Sequence, residues 1–360
     1  MNWNGHEHGM GIGGWLTNYK RFNVLPEEMR LRFTQGDWEH FDSYITESDV
    51  RYIAQLGMDH IRLGFDQIVI EEAPGVLRAR TMARIDAFLD WCDRYGLHAV
   101  LNLHKAVGNY CDIVSPVQLL DDAALQDRFV ALWRALEARY ADRPDVAFEL
   151  MNEVRGGDAA PWNALADRTI RAIRATNPVR QIVVGSAGWN AAGQLDQLTV
   201  WDDPNVIYTF HLYDPFEFTH QRGVLQTPCC FYNREMPYPG DIEHYRDFHR
   251  TVYGQEAYGA YTRMDAQFLA DRLAPAFRFA QAHPDKILWC GEFGTIRHCK
   301  LTYRENWMHD VIALLRAHGI PYCVWNYLST PNDGNRFSLV DDDTRRILSP
   351  RLHDIIAGRV

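Results

Sequence analysis

Short apolar runs alternate along the whole chain with stretches whose apolar residues recur at helical spacing. Eight runs read as strands, at roughly 8–14, 59–65, 98–104, 146–152, 181–187, 205–211, 286–292 and 320–326. The stretches after them read as helices. Thr46-Glu47-Ser48-Asp49 opens the first in capping-box fashion, and Gly57 is placed to stop it. The second, about 82–95, carries Ile85, Phe88, Leu89 and Cys92 on one stripe ahead of Gly96. Similar stripes lie near 122–140, 161–176, 265–282 and 303–318, while the helices after strands five and eight read as short or irregular. Repeated βα units of this kind predict an α/β fold, a (β/α)8 TIM barrel with a parallel sheet. No low-complexity tract or linker divides the chain, so residues 1–360 read as a single barrel domain. That length exceeds the roughly 250 residues typical of such barrels, and the excess reads as insertion.

Most of the excess lies in one place. Residues 213–262 separate strand six from its helix and are rich in aromatics, among them Phe216, Phe218, Tyr232, Tyr238, Tyr245, Phe248, Tyr258 and Tyr261. In a barrel such an insertion after strand six stands over the C-terminal face, where active sites form. A packed decoration that only stabilises the rim is the alternative reading, since aromatics bury surface anywhere.

Composition narrows the chemistry. The net charge of −10 and a pI near 5.8 come without any Lys/Arg block or basic stripe, which argues against nucleic acid or an anionic membrane as partner and favours a neutral ligand. The N-terminus shows neither a basic nor an apolar signal region, and no apolar stretch reaches about 18 residues, so a cytoplasmic location is expected. Seven cysteines, 92, 111, 229, 230, 290, 299 and 323, make an odd count without a Cys-x-x-Cys spacing and read as reduced core residues.

In a parallel barrel the strand ends converge on one mouth, so polar residues there can share a site. Asn152-Glu153 ends the fourth run and Gly291-Glu292 the seventh. A carboxylate just past a buried strand is costly unless paired or working, and two of them are what hydrolysis of a glycosidic bond requires. Glu153 and Glu292 are read as that catalytic pair. Around them fall His104, His211, Tyr213 and Trp325 at strand ends, with Arg62 inside strand two. Arg62 is either functional or half of a buried ion pair, with Glu292 or Glu149 as partner. His104 and His211 are site residues or satisfied rim histidines, and Trp325 is core or a platform for the weakly apolar face of a sugar. Asn18, Asn109, Trp189 and Asn326 are weaker candidates that read equally as loop or cap residues. His6-Glu7-His8 offers alternating metal donors but no third or fourth ligand can be placed, so no metal and no cofactor is expected. Gly11-Ile12-Gly13-Gly14 lacks dinucleotide-fingerprint spacing, and no Gly-x-Ser-x-Gly elbow occurs.

Taken in order, Arg62, His104, Asn152-Glu153, His211-x-Tyr213, Gly291-Glu292-Phe293-Gly294 and Trp325 resemble glycoside hydrolase family 5, the cellulase and mannanase family, over nearly the whole chain. The resemblance implies a retaining mechanism with Glu153 as acid/base and Glu292 as nucleophile, and it places Arg62, His104, Asn152, His211, Tyr213 and Trp325 around the sugar. Two departures from the family pattern are Val154 and Gly64, positions where proline is frequent. Residues 13–19 and 103–112 look like the intracellular β-mannosidase-type branch. That branch implies β-1,4-mannosides as substrate, while an aromatic insertion walling one end of the cleft and a cytoplasmic setting favour exo action on short oligosaccharides such as Man-β-1,4-GlcNAc. An endo-β-1,4-glucanase or mixed-linkage β-glucanase is the alternative, and a non-catalytic carbohydrate-binding barrel a more distant one. The expected partner is an oligosaccharide, with homo-oligomer formation left open.

Overall fold

The computed structural model describes residues 5–19, 32–110, 117–224, 227–330 and 333–360. Cys111, among the seven cysteines read above, falls outside them. The barrel strands are β1 (His8–Leu16), β2 (His60–Asp66), β3 (His98–Lys105), β4 (Val146–Glu149), β5 (Ile182–Gly185), β6 (Val206–Leu212), β7 (Ile287–Phe293) and β8 (Tyr322–Val324). They close in the order β1-β8-β7-β6-β5-β4-β3-β2, each parallel to its neighbours. This is the expected (β/α)8 barrel. All eight runs form strands, but β4 and β8 stop at Glu149 and Val324, short of the expected 152 and 326. Beyond those ends the regular ladder gives way to scattered backbone bonds that still reach the neighbouring strands, Leu150 N to Val183 O and Asn152 N to Leu103 O after β4, and Trp325 N to Phe293 O and Tyr327 N to Gly11 O after β8.

The helices follow the apolar stripes. Thr46 and Asp49 form the reciprocal capping box that opens Glu47–Gln55, and Gly57 takes φ +86 just beyond its end. Ala79–Tyr95, Ala123–Tyr140, Ala160–Arg174, Ala266–Ala282 and Leu301–Ala317 cover the sheet, with a short 3-10 segment at Ala192–Gln197 after β5 and a seven-residue helix, Pro350–Ile356, after β8. Among the described residues no helix is long and apolar enough to cross a membrane.

Two glycines of β1 make room rather than turns. A Cβ on Gly11 or Gly13 would lie 2.7 or 2.6 Å from the indole of Trp325, so the indole occupies the space those side chains would fill. The stretch 213–262 is not a bare loop. It holds short helices at Phe216–Thr219 and Thr227–Tyr232, the helix Ile242–Tyr253 capped by Asp241, and a two-stranded pairing of Gly240–Asp241 with Arg263–Met264. Phe218, Tyr238 and Tyr245 are fully buried in it. Trp307 Nε1 bonds Asp214 O at 3.0 Å and Ile296 N bonds Thr219 O at 2.9 Å, fastening its start to the elements after β7.

Candidate active site

Alternate residues of a barrel strand face the interior. Val100, Ala147, Val183, Ile207, Trp289 and Cys323, one from each of β3 to β8, form an apolar inner layer. Moving two residues at a time toward the mouth changes the chemistry: Asn102 and His104 follow on β3, Glu149 on β4, Thr209 and His211 on β6. Strict alternation would turn Glu292 of β7 outward, three residues beyond Trp289. Instead the β6–β7 register shifts between Cys290, opposite Phe210, and Glu292, opposite His211. Gly291 is the extra residue of this bulge, and a Cβ on it would lie 2.4 Å from Thr209 Oγ1. The bulge re-aims Glu292 into the barrel.

Arg62 lies at the centre of the charged groups and is completely buried. Its Nε and Nη2 donate to Glu149 at 2.6 and 2.8 Å, its Nη1 donates to Glu292 Oε2 at 2.6 Å, and Nη2 also donates to Asn152 Oδ1 at 2.6 Å. Both partners considered from the sequence are therefore used. Burial alone would favour loss of the Arg62 proton, but Glu149 and Glu292 hold its pKa above the ordinary arginine value. The other oxygen of Glu292 accepts from Tyr213 Oη at 2.6 Å. Burial, followed by the charge of Glu292, raises the Tyr213 phenol well above its usual range, so it is a neutral donor.

Glu153 has a different environment. Its side chain is 17% exposed, and Oε1 lies 3.0 Å from His211 Nδ1. Loss of hydration raises its carboxyl pKa to about 7, against the opposing pull of Arg62. Burial lowers His211 to about 4, leaving the imidazole neutral at pH 7. Its Nε2 faces Arg62 Nη2 at 3.4 Å, and because a guanidinium only donates, the imidazole proton is assigned to Nδ1, pointing at Glu153. An oxygen of Glu153 and one of Glu292 lie within 4.8 Å of each other, with a His211 nitrogen inside the same limit. The three could also act as metal donors, but both Glu292 oxygens already accept from Arg62 and Tyr213.

His104 stacks on Trp325 with ring centroids 5.3 Å apart. Its Nδ1 faces Asn102 Oδ1 at 3.0 Å and its Nε2 faces Asn18 Nδ2 at 3.3 Å, an arrangement for a neutral ring, and burial lowers its pKa well below the usual value. A Cβ at Gly64 would come 3.2 Å from His104 Nδ1 and 2.7 Å from Thr17 Cγ2, so the departure from proline at this position leaves room for the histidine. Trp325 itself is only 7% exposed. Among the weaker candidates, Asn109 is buried and donates to Glu153 O at 2.8 Å, and Asn326 is buried with Oδ1 accepting from Ser329. Trp189 is 43% exposed on the loop after β5. Asn102 and Asn190 are polar residues of this region outside the sequence reading. Asn102 carries a legible signal, since it lies two residues before His104 on the same strand face, whereas Asn190 lies in an aperiodic turn. His6-Glu7-His8 lies at the entrance of β1, where His8 pairs with Tyr322, at the opposite end of the barrel.

Two carboxyl groups this close at the mouth of a parallel barrel, one bound by a guanidinium and a phenol and the other able to carry a proton near neutrality, have the arrangement that hydrolysis of a glycosidic bond requires. Comparison with known proteins agrees. Residues 20–330 match the family model described as Cellulase (glycosyl hydrolase family 5), and the chain belongs to that family. It is similar to Endoglucanase C of Acetivibrio thermocellus, 35% identical over 356 residues that cover 98% of each chain. Cellodextrinase A of Ruminococcus flavefaciens is 30% identical over 317 residues, covering 87% of this chain and 82% of that one. Among solved structures, endoglucanase Cel5A from Thermotoga maritima superimposes with a TM-score of 0.73 at 22% identity, covering 97% of this chain and 96% of the other.

Proposed function

We propose that the protein is a retaining endo-β-1,4-glucanase in which Glu292 is the nucleophile and Glu153 the acid/base. The observation that carries the mechanism is that an oxygen of Glu153 and an oxygen of Glu292 lie within 4.8 Å of each other. Retaining enzymes hold their two carboxyl groups about 5–5.5 Å apart, whereas inverting enzymes leave roughly 6.5–9.5 Å for a water. Glu292, held in line by Arg62 and Tyr213, attacks the anomeric carbon as the glycosidic C–O bond breaks, and Glu153 gives its proton to the departing oxygen. The glycosyl ester that forms has no charge at Glu292. That favours the Glu153 carboxylate, which takes a proton from the incoming water as that water breaks the ester and restores Glu292. Asn152, held by Arg62, is offered to the sugar 2-hydroxyl, a contact that strengthens as positive charge develops on the ring.

The substrate reading departs from the mannoside expected from the sequence. The support for glucan is the naming of the curated relatives: Endoglucanase C aligns over 98% of both chains, and Cellodextrinase A over 87% of this one. Glucose and mannose differ only in the orientation of the 2-hydroxyl, so one or two hydrogen bonds decide between them. The test uses a 2-fluoro glycosyl donor together with carboxymethyl-cellulose, aryl β-mannoside and Man-β-1,4-GlcNAc. The proposal expects covalent labelling of Glu292 and a rapid fall in polymer viscosity. Release of mannose from the small substrates without a viscosity change would overturn the endo-glucanase assignment, and binding of the fluoro sugar without labelling or turnover would overturn catalysis.

A further inference from the structure

The loop that carries Glu153 has left the sheet, yet its backbone is fixed at three successive carbonyls. Asn152 O accepts from Asn190 Nδ2 at 3.4 Å, Glu153 O from Asn109 Nδ2 at 2.8 Å, and Val154 O from Trp189 N at 3.0 Å. Two of the three donors belong to the turn after β5. That turn also forms bridges between Val154 and Ala187 and between Ala191 and His211. It therefore holds both members of the Glu153–His211 hydrogen bond.

Asn190 is seated with unusual care for a residue in a turn. It is fully buried, and its Oδ1 accepts from Ser186 N at 3.0 Å while Nδ2 faces Asn152 O. A Cβ on Gly185 would fall 2.3 Å from Asn190 Oδ1, so the amide has a place only because that residue is glycine. The backbone is left-handed at Gly188, Trp189 and Asn190, with φ of +67, +59 and +57. Left-handed conformation at a tryptophan is disfavoured and persists only where surrounding contacts over-determine it.

We propose that Asn190 is a positioning residue for Glu153: its amide sets the height of the Asn152 carbonyl, and through it the approach of the Glu153 carboxyl to the leaving oxygen. This rests on the assignment of Glu153 as acid/base, and the test separates the two. Glycine accepts positive φ without strain, so Asn190→Gly removes the amide while sparing the backbone. Asn190→Asp keeps the shape and tolerates the left-handed backbone but presents an acceptor to the Asn152 carbonyl. Each is compared with wild type and Glu153→Gln on two aryl β-cellobiosides, one with a 2,4-dinitrophenolate leaving group that needs no proton and one with an unactivated phenolate that does. A displaced acid lowers kcat/KM by about tenfold on the unactivated substrate and less than twofold on the activated one, a selectivity in the same direction as that of Glu153→Gln. An equal fall on both substrates in the two variants assigns Asn190 to folding alone and overturns the proposal, as does no change on either. If Glu153→Gln itself shows no leaving-group selectivity, the acid/base assignment fails first. Asn190→Asp, being isosteric, supplies the comparison should Asn190→Gly not fold.

Discussion

At the floor of the barrel, around the start of β1, β2 and β3, the His6 ring stacks on His98 with centroids 4.8 Å apart, and His60 meets Trp289 edge to face at 5.6 Å. Asp59 accepts there from His60 Nδ1 at 2.6 Å and from the backbone of Glu7 and His8 at 2.6 and 3.1 Å. At the mouth, imidazoles and carboxylates gather again, but around a buried guanidinium that ties Glu149, Asn152 and Glu292 into one network. The floor is also rich in titratable groups, but its buried guanidinium, Arg180, is turned to Glu137 and to the carbonyls of Tyr140, Arg143 and Val146 and not to two facing carboxylates. Stacked rings also direct their nitrogens sideways rather than toward a common point, so His6 and His98 are poorly arranged to share a ligand. Composition alone does not make a reaction centre. A charge fixed by directed donors, facing a second group whose proton affinity differs, does.

The comparison breaks most sharply at Glu292. Glu292→Ala removes the nucleophile and is expected to lower kcat by on the order of 10⁴-fold or more, with the fold kept. Azide restores part of the turnover by entering the vacated space and leaves as an α-glycosyl azide. Near-normal hydrolysis by this variant would refute the site.

Arg62 tests whether the network is structural as well as chemical. Arg62→Met strands Glu149 in a fully buried position and is expected to cost about 3–5 kcal/mol of stability in denaturant titrations, along with activity. Adding Glu149→Leu removes the stranded charge, so the double variant regains most of the stability while remaining inactive. Recovery of activity in the double variant would show that Arg62 serves the fold only.

Glu153→Gln is expected to lower kcat/KM on unactivated substrates by roughly 10²- to 10⁴-fold. It also bears on pH. The glycosylation step needs the protonated acid, whose pKa is about 7, so wild-type kcat/KM falls tenfold per unit above that pH. The variant has no such proton to lose, and its alkaline limb is flat through this range. A wild-type limb that persists unchanged in the variant would assign it to another group.

The strands were legible because each is an apolar run, and the helices because each has a stripe and, at Thr46 and Gly57, a start and a stop. The mouth was legible only as a set of strand ends. Glu292 points inward because of a bulge at Gly291, and period-two reasoning predicts the opposite face, so only its motif marked it. The partner of Arg62 was undecidable between Glu149 and Glu292 because both distances depend on barrel closure. Trp325 over Gly11 and Gly13 is a contact between the two ends of the chain, and nothing local announces it. Asn102 was within reach of the periodicity, while Asn190 depends on a left-handed turn with no pattern in the sequence.

The smallest effect sharpens the comparison from the floor. Burial, then the neighbouring His6 and His60, lowers the His98 pKa from 6.5 to about 3, with Asp59 opposing. His6 and His8 shift the same way, chiefly through burial. A histidine kept neutral by folding contributes stability that is fully present above its unfolded pKa of 6.5 and is lost as pH falls from there toward the folded value. His98→Phe keeps a ring against His6 and removes one titration. The loss of unfolding free energy between pH 7 and pH 5 should therefore shrink by about 1–2 kcal/mol, measured by urea denaturation at the two pH values. His211 and His220, lowered to about 4 and about 3, titrate in the same direction, so part of the acid lability remains. The kcat/KM profile should not move, because Glu153 is held from the mouth, by His211 and Asn109. If the variant is as acid-labile as wild type, the buried imidazoles of the floor are not what acid attacks; if its alkaline activity limb shifts, the two ends of the barrel are not independent.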